Sequence, residues 1–276
     1  MNQQDKEILA KLRKRIFITG YSGGMAHLAS CFSAIDIIYT LYMKDVMKHD
    51  PKNPDMPDRD RFVLSKGHGG LALYSTLCEA GYLTEEELHT YLKPWCHIGG
   101  EPNRRDLRGI EASTGSLGHG MSVAVGMAIA QKLDKNGAKT YVMIGDGESQ
   151  EGTIWEASMS AVAFSLDNLV AILDCNKVQK TNHVEETLGY VHWDEKWKSF
   201  GWNVMEVDGH DVDALKETFM NIPQNGKPTV VIAHTIKGKG VSIMEDNPIW
   251  HFKLPNRKEK KVFMEELQIS EKEMEV

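Results

Sequence analysis

The sequence predicts an α/β domain: a parallel sheet with helices on both faces. Three observations carry that prediction. The second half holds four β-rich, largely apolar runs of strand length: TYVMIG (140–145), NLVAILD (168–174), WNVMEVD (202–208) and TVVIAHT (229–235). A strand covered on both faces reads as a near-continuous apolar run, whereas a half-solvated strand alternates. Helical stretches such as WEASMSAVAF (155–164) and VDALKETFM (212–220) separate these runs, which lets each strand return parallel to the last. The composition is ordinary for a globular chain, 41% hydrophobic and 26% charged over 276 residues, with enough length for a sizeable core.

From the N-terminus, Ile8, Leu9, Leu12 and Ile16 share one face between charges, an amphipathic helix over 5–18 in a leading segment 1–20. TGYSGG (19–24) reads as a break. SAIDIIYTLYMKDV (33–46) reads as a largely buried helix, and HDPKNPDMPDRD (49–60), with three prolines and no periodicity, as a loop. RFVLS (61–65) is a short strand running into the cluster Lys66-Gly67-His68-Gly69-Gly70. Thr84 and Glu87 form a capping box that opens a helix at TEEELHTYL. The tail 256–276 is charged, and VFMEELQI within it reads as a surface helix. With no repeat and no linker, residues 1–276 read as a single domain.

Charge and cysteine usage exclude several function classes. Lys plus Arg is 32 against 39 Asp plus Glu, a formal charge of -7, so nothing recruits nucleic acid or an anionic membrane, and an anionic ligand needs local help. Cys31, Cys78, Cys96 and Cys175 are scattered without a CxxC pair, which speaks against a disulfide framework or zinc knuckle. No stretch has the form of a signal peptide or an apolar span of about 18 residues, so the chain reads as soluble and cytoplasmic.

In such sheets ligands bind at the carboxyl ends of the strands. TYVMIG runs into Asp146-Gly147-Glu148-Ser149-Gln150-Glu151-Gly152 and then a helix; the glycines let backbone approach a ligand, and a helix start favours an anion. The next strand delivers Asn176 at its own end. Two neighbouring strand tips thus offer a carboxylate and an amide oxygen to one cation, a donor set that suits magnesium; an ordinary strand-to-helix turn is the competing reading. STGSLGHG (113–120) is a loop dense in backbone donors leading into the small-residue helix MSVAVGMAIA. His27, His68, His97, His119, His210 and His251 lie in loops, without zinc-site spacing, where histidine can donate to a phosphate or move a proton. Lys237-Gly238-Lys239-Gly240 reads as a mobile loop with solvated lysines, a phosphate clamp being the alternative, and Asp208-Gly209-His210-Asp211 as a turn with Asp211 as N-cap.

Together these residues resemble the N-terminal, thiamine-diphosphate-binding half of a transketolase in its split form. The similarity runs from about residue 10 to 255 through five ordered blocks: LSKGHGGLALY, EASTGSLGHGMSVAVGMA, GDGESQEGTIWEA with its distant Asn176, EVDGHDV and TIKGKGVSIMEDNPIWH. The resemblance implies that Asp146, Asn176 and the carbonyl of Val178 hold Mg2+. It implies that Gly147, Asn176, His68 and His251 contact the diphosphate, and that Gly115, Ser116 and Leu117 line the cofactor. It also implies that His27 faces substrate and His251 the reacting carbon, in transfer of a two-carbon ketol unit from a ketose or its phosphate to an aldose.

The resemblance sets two limits. The family's activating glutamate lies on a second, pyrimidine-binding domain that has no counterpart here, which implies a partner subunit, inactivity of this chain alone, and a heterotetramer of two such pairs. The family's GGHP is here Gly99-Gly100-Glu101-Pro102, so Glu101 stands in place of a substrate-facing histidine. An ionised carboxylate does not donate and repels an anion; either the sugar preference is altered or His97 fills the role. Two alternatives stay open: the α subunit of a 2-oxo acid dehydrogenase first component, and a non-catalytic subunit that keeps the fold.

Overall fold

The computed structural model describes residues 1–180 and 182–275. One five-stranded sheet runs through it, all pairs parallel: β1 (Arg61–Leu64), β2 (Thr140–Gly145), β3 (Leu169–Cys175), β4 (Asn203–Asp208) and β5 (Thr229–His234), in the order β1-β2-β3-β5-β4. Neighbouring side chains along a strand point to opposite faces, and here both faces are apolar. Phe62, Leu64, Tyr141, Met143, Val170, Ile172 and Val231 enter one core. Val63, Val142, Ile144, Leu169, Ala171, Leu173 and Ile232 enter the other. That double burial is why the strand runs lack alternation.

The first core is closed by α1 (Gln3–Ser22), α2 (Leu28–Met43), α3 (Gly70–Ala80), α9 (Val212–Met220) and α10 (Arg257–Glu266), the second by α5 (His119–Asp134), α6 (Gly152–Ala163) and α8 (Trp193–Ser199). Single-turn helices α4 (Glu85–Leu88) and α7 (Val184–Leu188) lie in the connections.

Three expectations are corrected. TGYSGG does not break the first helix at 19: α1 continues to Ser22. Gly20 is there for close packing, since a Cβ on it would stand 2.7 Å from that of Ala26. The next helix starts at Leu28 rather than 33, and the capped helix at Thr84 lasts one turn although its capping box forms. The tail helix lies at the surface with most of its charged residues exposed, and is anchored from its inner face. Phe263 is fully buried and stacks on Phe17 with ring centroids 4.9 Å apart, burial worth about 1.5–3 kcal/mol. No helix of the described residues is long and apolar enough to cross a membrane.

Candidate functional site

The tips of β2 and β3 meet as their order requires. Gly145 pairs with Asp174 in register, so the residues that follow, Asp146 and Asn176, leave the sheet side by side. Asp146 is 2% exposed; its Oδ1 accepts from the Gly147 amide at 2.7 Å and its Oδ2 from the Lys177 amide at 2.5 Å. The carboxylate of one tip is therefore tied to the backbone of the other. Lys177 turns there with φ 64°, a left-handed conformation rare outside glycine, and Asn176 Oδ1 accepts from the Val178 amide at 3.1 Å. Burial and the neighbouring Asp174 carboxylate push Asp146 up to about 6.

A cleft of about 360 Å³ opens over these tips. It is lined by His27, His68, Glu101, Gly115, Leu117, Asp146, Gly147, Asn176, Val178 and His251, which come from seven separate stretches of sequence. Ser116 is exposed and is not among the lining residues. His27 precedes α2, His68 sits in the short turn after β1, and His251 in the turn Pro248–Phe252. Their rings cluster, with centroids 5.1 Å (His27–His68), 5.5 Å (His27–His251) and 5.6 Å (His68–His251) apart. Burial, then the lysines nearby, holds all three below the ordinary histidine range: His27 at about 4, His251 at about 3, and His68 well below its usual value. At neutral pH they are uncharged imidazoles, each with one donor and one acceptor.

Glu101 reaches the cleft beside Gly115. That glycine has φ 146°, and a Cβ on it would stand 2.0 Å from Glu101 Oε2, so no larger residue fits. His97, the alternative occupant of that role, is exposed and does not line the cleft; nor does His119. His210 lies elsewhere and is more than part of a turn: it joins the Asp36 carboxylate at 2.6 Å to the Ile236 amide at 2.9 Å, while Asp211 caps α9 as expected.

The reading of Lys237 as a solvated loop lysine is corrected. It is 2% exposed, and its ammonium donates to the Val178 carbonyl at 2.9 Å and to His251 Nδ1 at 3.0 Å. Because an ammonium only donates, Nδ1 accepts and the His251 proton sits on Nε2. Burial, with Lys66 close by, lowers Lys237 to about 8. Lys66, also 1% exposed, pairs with the fully buried Asp174, which accepts in addition from Ser33 and Thr235. Burial works against that carboxylate's charge, but Lys66 and the two hydroxyls outweigh it and hold Asp174 below its ordinary value. Together with Lys180 these lysines set three cationic groups around the cleft against the carboxylates of Glu101, Asp146 and Glu148.

Sequence reasoning missed Lys66, Asp174, Glu148, Ser30 and Gln179, and held Lys237 only as the less favoured alternative of a phosphate clamp. The available signal was slight: a charged residue at the end of an apolar strand (Asp174), and lysines opening glycine clusters just after strands (Lys66, Lys237). Among the described residues no three His, Cys, Asp or Glu side chains converge as a metal cage. A cation here has one carboxylate, an amide oxygen and a main-chain carbonyl, which is chemistry for a hard ion sharing its shell with a ligand.

Comparison with known proteins agrees with this geometry. Residues 18–253 match the family of the transketolase thiamine diphosphate binding domain. The chain is 40% identical to one of the apulose-4-phosphate transketolase subunits of Actinobacillus succinogenes, over 96% of both chains. It is 43% identical to a 6-deoxy-6-sulfo-D-fructose transketolase subunit of a Clostridium species, over 80% of this chain and 81% of that one. Among solved structures, a transketolase variant from Pichia stipitis superposes with TM-score 0.90 at 29% identity, and the Campylobacter jejuni transketolase with 0.89 at 28%; this chain is wholly covered but spans only 42% and 44% of theirs. Strand tips, glycine loops and sequence identity agree: the chain belongs to the transketolase family, in its thiamine-diphosphate-binding domain.

Proposed function

We propose that this chain, as a single binding domain, is the cofactor-binding subunit of a two-chain transketolase that moves a two-carbon ketol unit from a ketose phosphate to an aldose or its phosphate. The observation that carries the reading is the cleft itself, where a buried carboxylate and an amide on adjacent strand tips lie beneath two buried lysines and three uncharged imidazoles. The likeness to a split enzyme's subunit supports this reading: the chain covers 96% of an apulose-4-phosphate transketolase subunit and 42% of a solved transketolase.

The residues fit the groups this reading requires. Asp146, buried and pushed up to about 6, lacks a full countercharge, and Mg2+ at Asp146, Asn176 and the Val178 carbonyl would supply one. Gly147, His68, Asn176 and His251 would face a diphosphate, which Lys66 and Lys237 help to neutralise, and Gly115, Ser116 and Leu117 would flank the rest of thiamine diphosphate. When bound, that cofactor supplies the nucleophilic carbon for cleaving the bond beside a ketose carbonyl. The chain's own part is to neutralise charge, exclude water and pass protons. His27 can donate or accept at a sugar hydroxyl because it stays uncharged at working pH, whereas His251, its Nδ1 held by Lys237, offers the Nε2 proton as a donor. Glu101 at the cleft would disfavour an anionic group near it and accept from a hydroxyl.

The partner would bring the pyrimidine-side domain and its activating carboxylate, and two such pairs would make a heterotetramer in the cytoplasm. Against the 2-oxo acid dehydrogenase alternative stand the blocks SKGHGG and TGSLGHG, whose His68, Gly115 and Leu117 line the cleft. The test is ketol transfer by the purified chain with thiamine diphosphate and magnesium, with and without a pyrimidine-domain partner chain. Turnover only in the mixture is expected. Turnover by the chain alone, or decarboxylation of an oxo acid by the mixture, overturns the reading, and a mixture that stays inert on ketoses points to a non-catalytic role.

A further inference from the structure

We propose that Glu148 is a positioning residue, a buried clasp that sets the two glycine loops against the Asp146 strand tip. Its side chain is 3% exposed, and both oxygens are fully used. Oε1 accepts from the Ser65 hydroxyl and from the Gly118 amide at 2.8 Å, while Oε2 accepts from the Gly145 amide at 2.9 Å. One carboxylate thus gathers the end of β1, the loop before α5 and the end of β2. These are the segments that bring His68, Gly115, Leu117 and Asp146 to the cleft.

The loops it gathers touch at glycines, with no room for a further side chain between them. A Cβ on Gly67 would stand 2.8 Å from the Gly115 amide, and one on Gly120 would stand 2.6 Å from Ser65 Oγ. Contacts that close transmit any shift of one loop to the other, because neither has a flexible side chain to absorb it. All three of Glu148's partners are donors, so only an ionised carboxylate satisfies them together. Glutamine has the same shape, but its amide NH2 must then meet either the Gly118 or the Gly145 N–H, and one buried donor loses its acceptor.

The loop geometry stands on the structure alone, whereas its consequence for the cofactor rests on the reading above, and the experiment separates them. Amide hydrogen exchange is measured on the full chain for wild type, Glu148→Gln and the milder Ser65→Ala. Thiamine diphosphate affinity and kcat are then measured with magnesium in the assembly with the partner chain. In Glu148→Gln, exchange at whichever of Gly118 and Gly145 loses its acceptor should rise by about tenfold or more while the β3 amides keep their protection, with a smaller rise in Ser65→Ala. Cofactor affinity should fall by roughly tenfold, with kcat at saturating cofactor nearly unchanged. Unchanged exchange at both glycines refutes the clasp. Faster exchange with unaltered cofactor affinity refutes the positioning role. If wild type itself fails to bind thiamine diphosphate, the cofactor reading falls while the exchange data still decide the clasp. Should Glu148→Gln lose protection throughout, Ser65→Ala carries the same decision.

Discussion

Two aspartates sit at neighbouring strand ends under almost the same burial, yet their environments push them in opposite directions. Asp174 in β3 has the Lys66 ammonium and two hydroxyls, and lies below the ordinary carboxylate range. Asp146, beyond β2, has two backbone amides for direct partners and the Asp174 charge against it; Lys237 acts on it only from a distance, and it rises to about 6. Equal burial does not make equal sites. A charge whose compensation is complete within the chain is structural, whereas one left incompletely compensated is poised to receive a cation from outside.

The largest expected effect tests the structural half. Asp174→Asn leaves the Lys66 ammonium buried without its counterion and should cost about 3–5 kcal/mol in denaturant unfolding. Asp146→Asn should cost clearly less in the ligand-free chain, because the charge removed is a net expense at pH 7 and offsets the one amide, Gly147 or Lys177, that loses its acceptor. The same substitution should lower thiamine diphosphate and magnesium affinity by about a hundredfold. If Asp146→Asn proves as destabilising as Asp174→Asn, the contrast between the two is wrong.

A smaller effect follows from linkage. Asp146's folded value is raised above its unfolded 3.8 to about 6, so stability is lost as pH rises from 3.8 through that value, and the charge counts fully against folding above it. His27 and His251 have folded values of about 4 and 3, below the unfolded 6.5, so the stability they confer is complete above pH 6.5 and drains away as pH falls toward those values. Magnesium with thiamine diphosphate, bound through ionised Asp146 in the assembled enzyme, should therefore raise Tm more at pH 7.5 than at pH 5. A Tm increment independent of pH would show that Asp146 is not a ligand.

The smallest effect concerns Glu101. Glu101→His restores a donor at the cleft and should shift kcat/KM toward phosphorylated substrates by roughly tenfold, leaving stability untouched because the side chain is exposed. An unchanged preference across a series of ketoses would show that Glu101 does not select the sugar.

Much of this was legible beforehand where the signal was local. The strand runs, the capping box at Thr84, the Asp211 cap and the Asp146/Asn176 pair were read within a few residues of where they lie. Errors arose where local pattern and packing disagree. Gly20 looks like a helix breaker but serves a tight contact with Ala26, whereas VFMEELQI lies at the surface as its charges suggest, but Phe263 anchors it in the core.

By itself the sequence determined the parallel sheet and the two strand tips, because continuous apolar runs and glycine punctuation are written into consecutive residues. Only the tertiary structure decided which charges are buried and with whom. Lys66 meets Asp174 across 108 positions, Lys237 meets Val178 across 59, Ser65 meets Glu148 across 83, and His27, His68 and His251 converge from three distant loops. Desolvation and pairing are properties of the folded surroundings, and no stretch of consecutive residues encodes them.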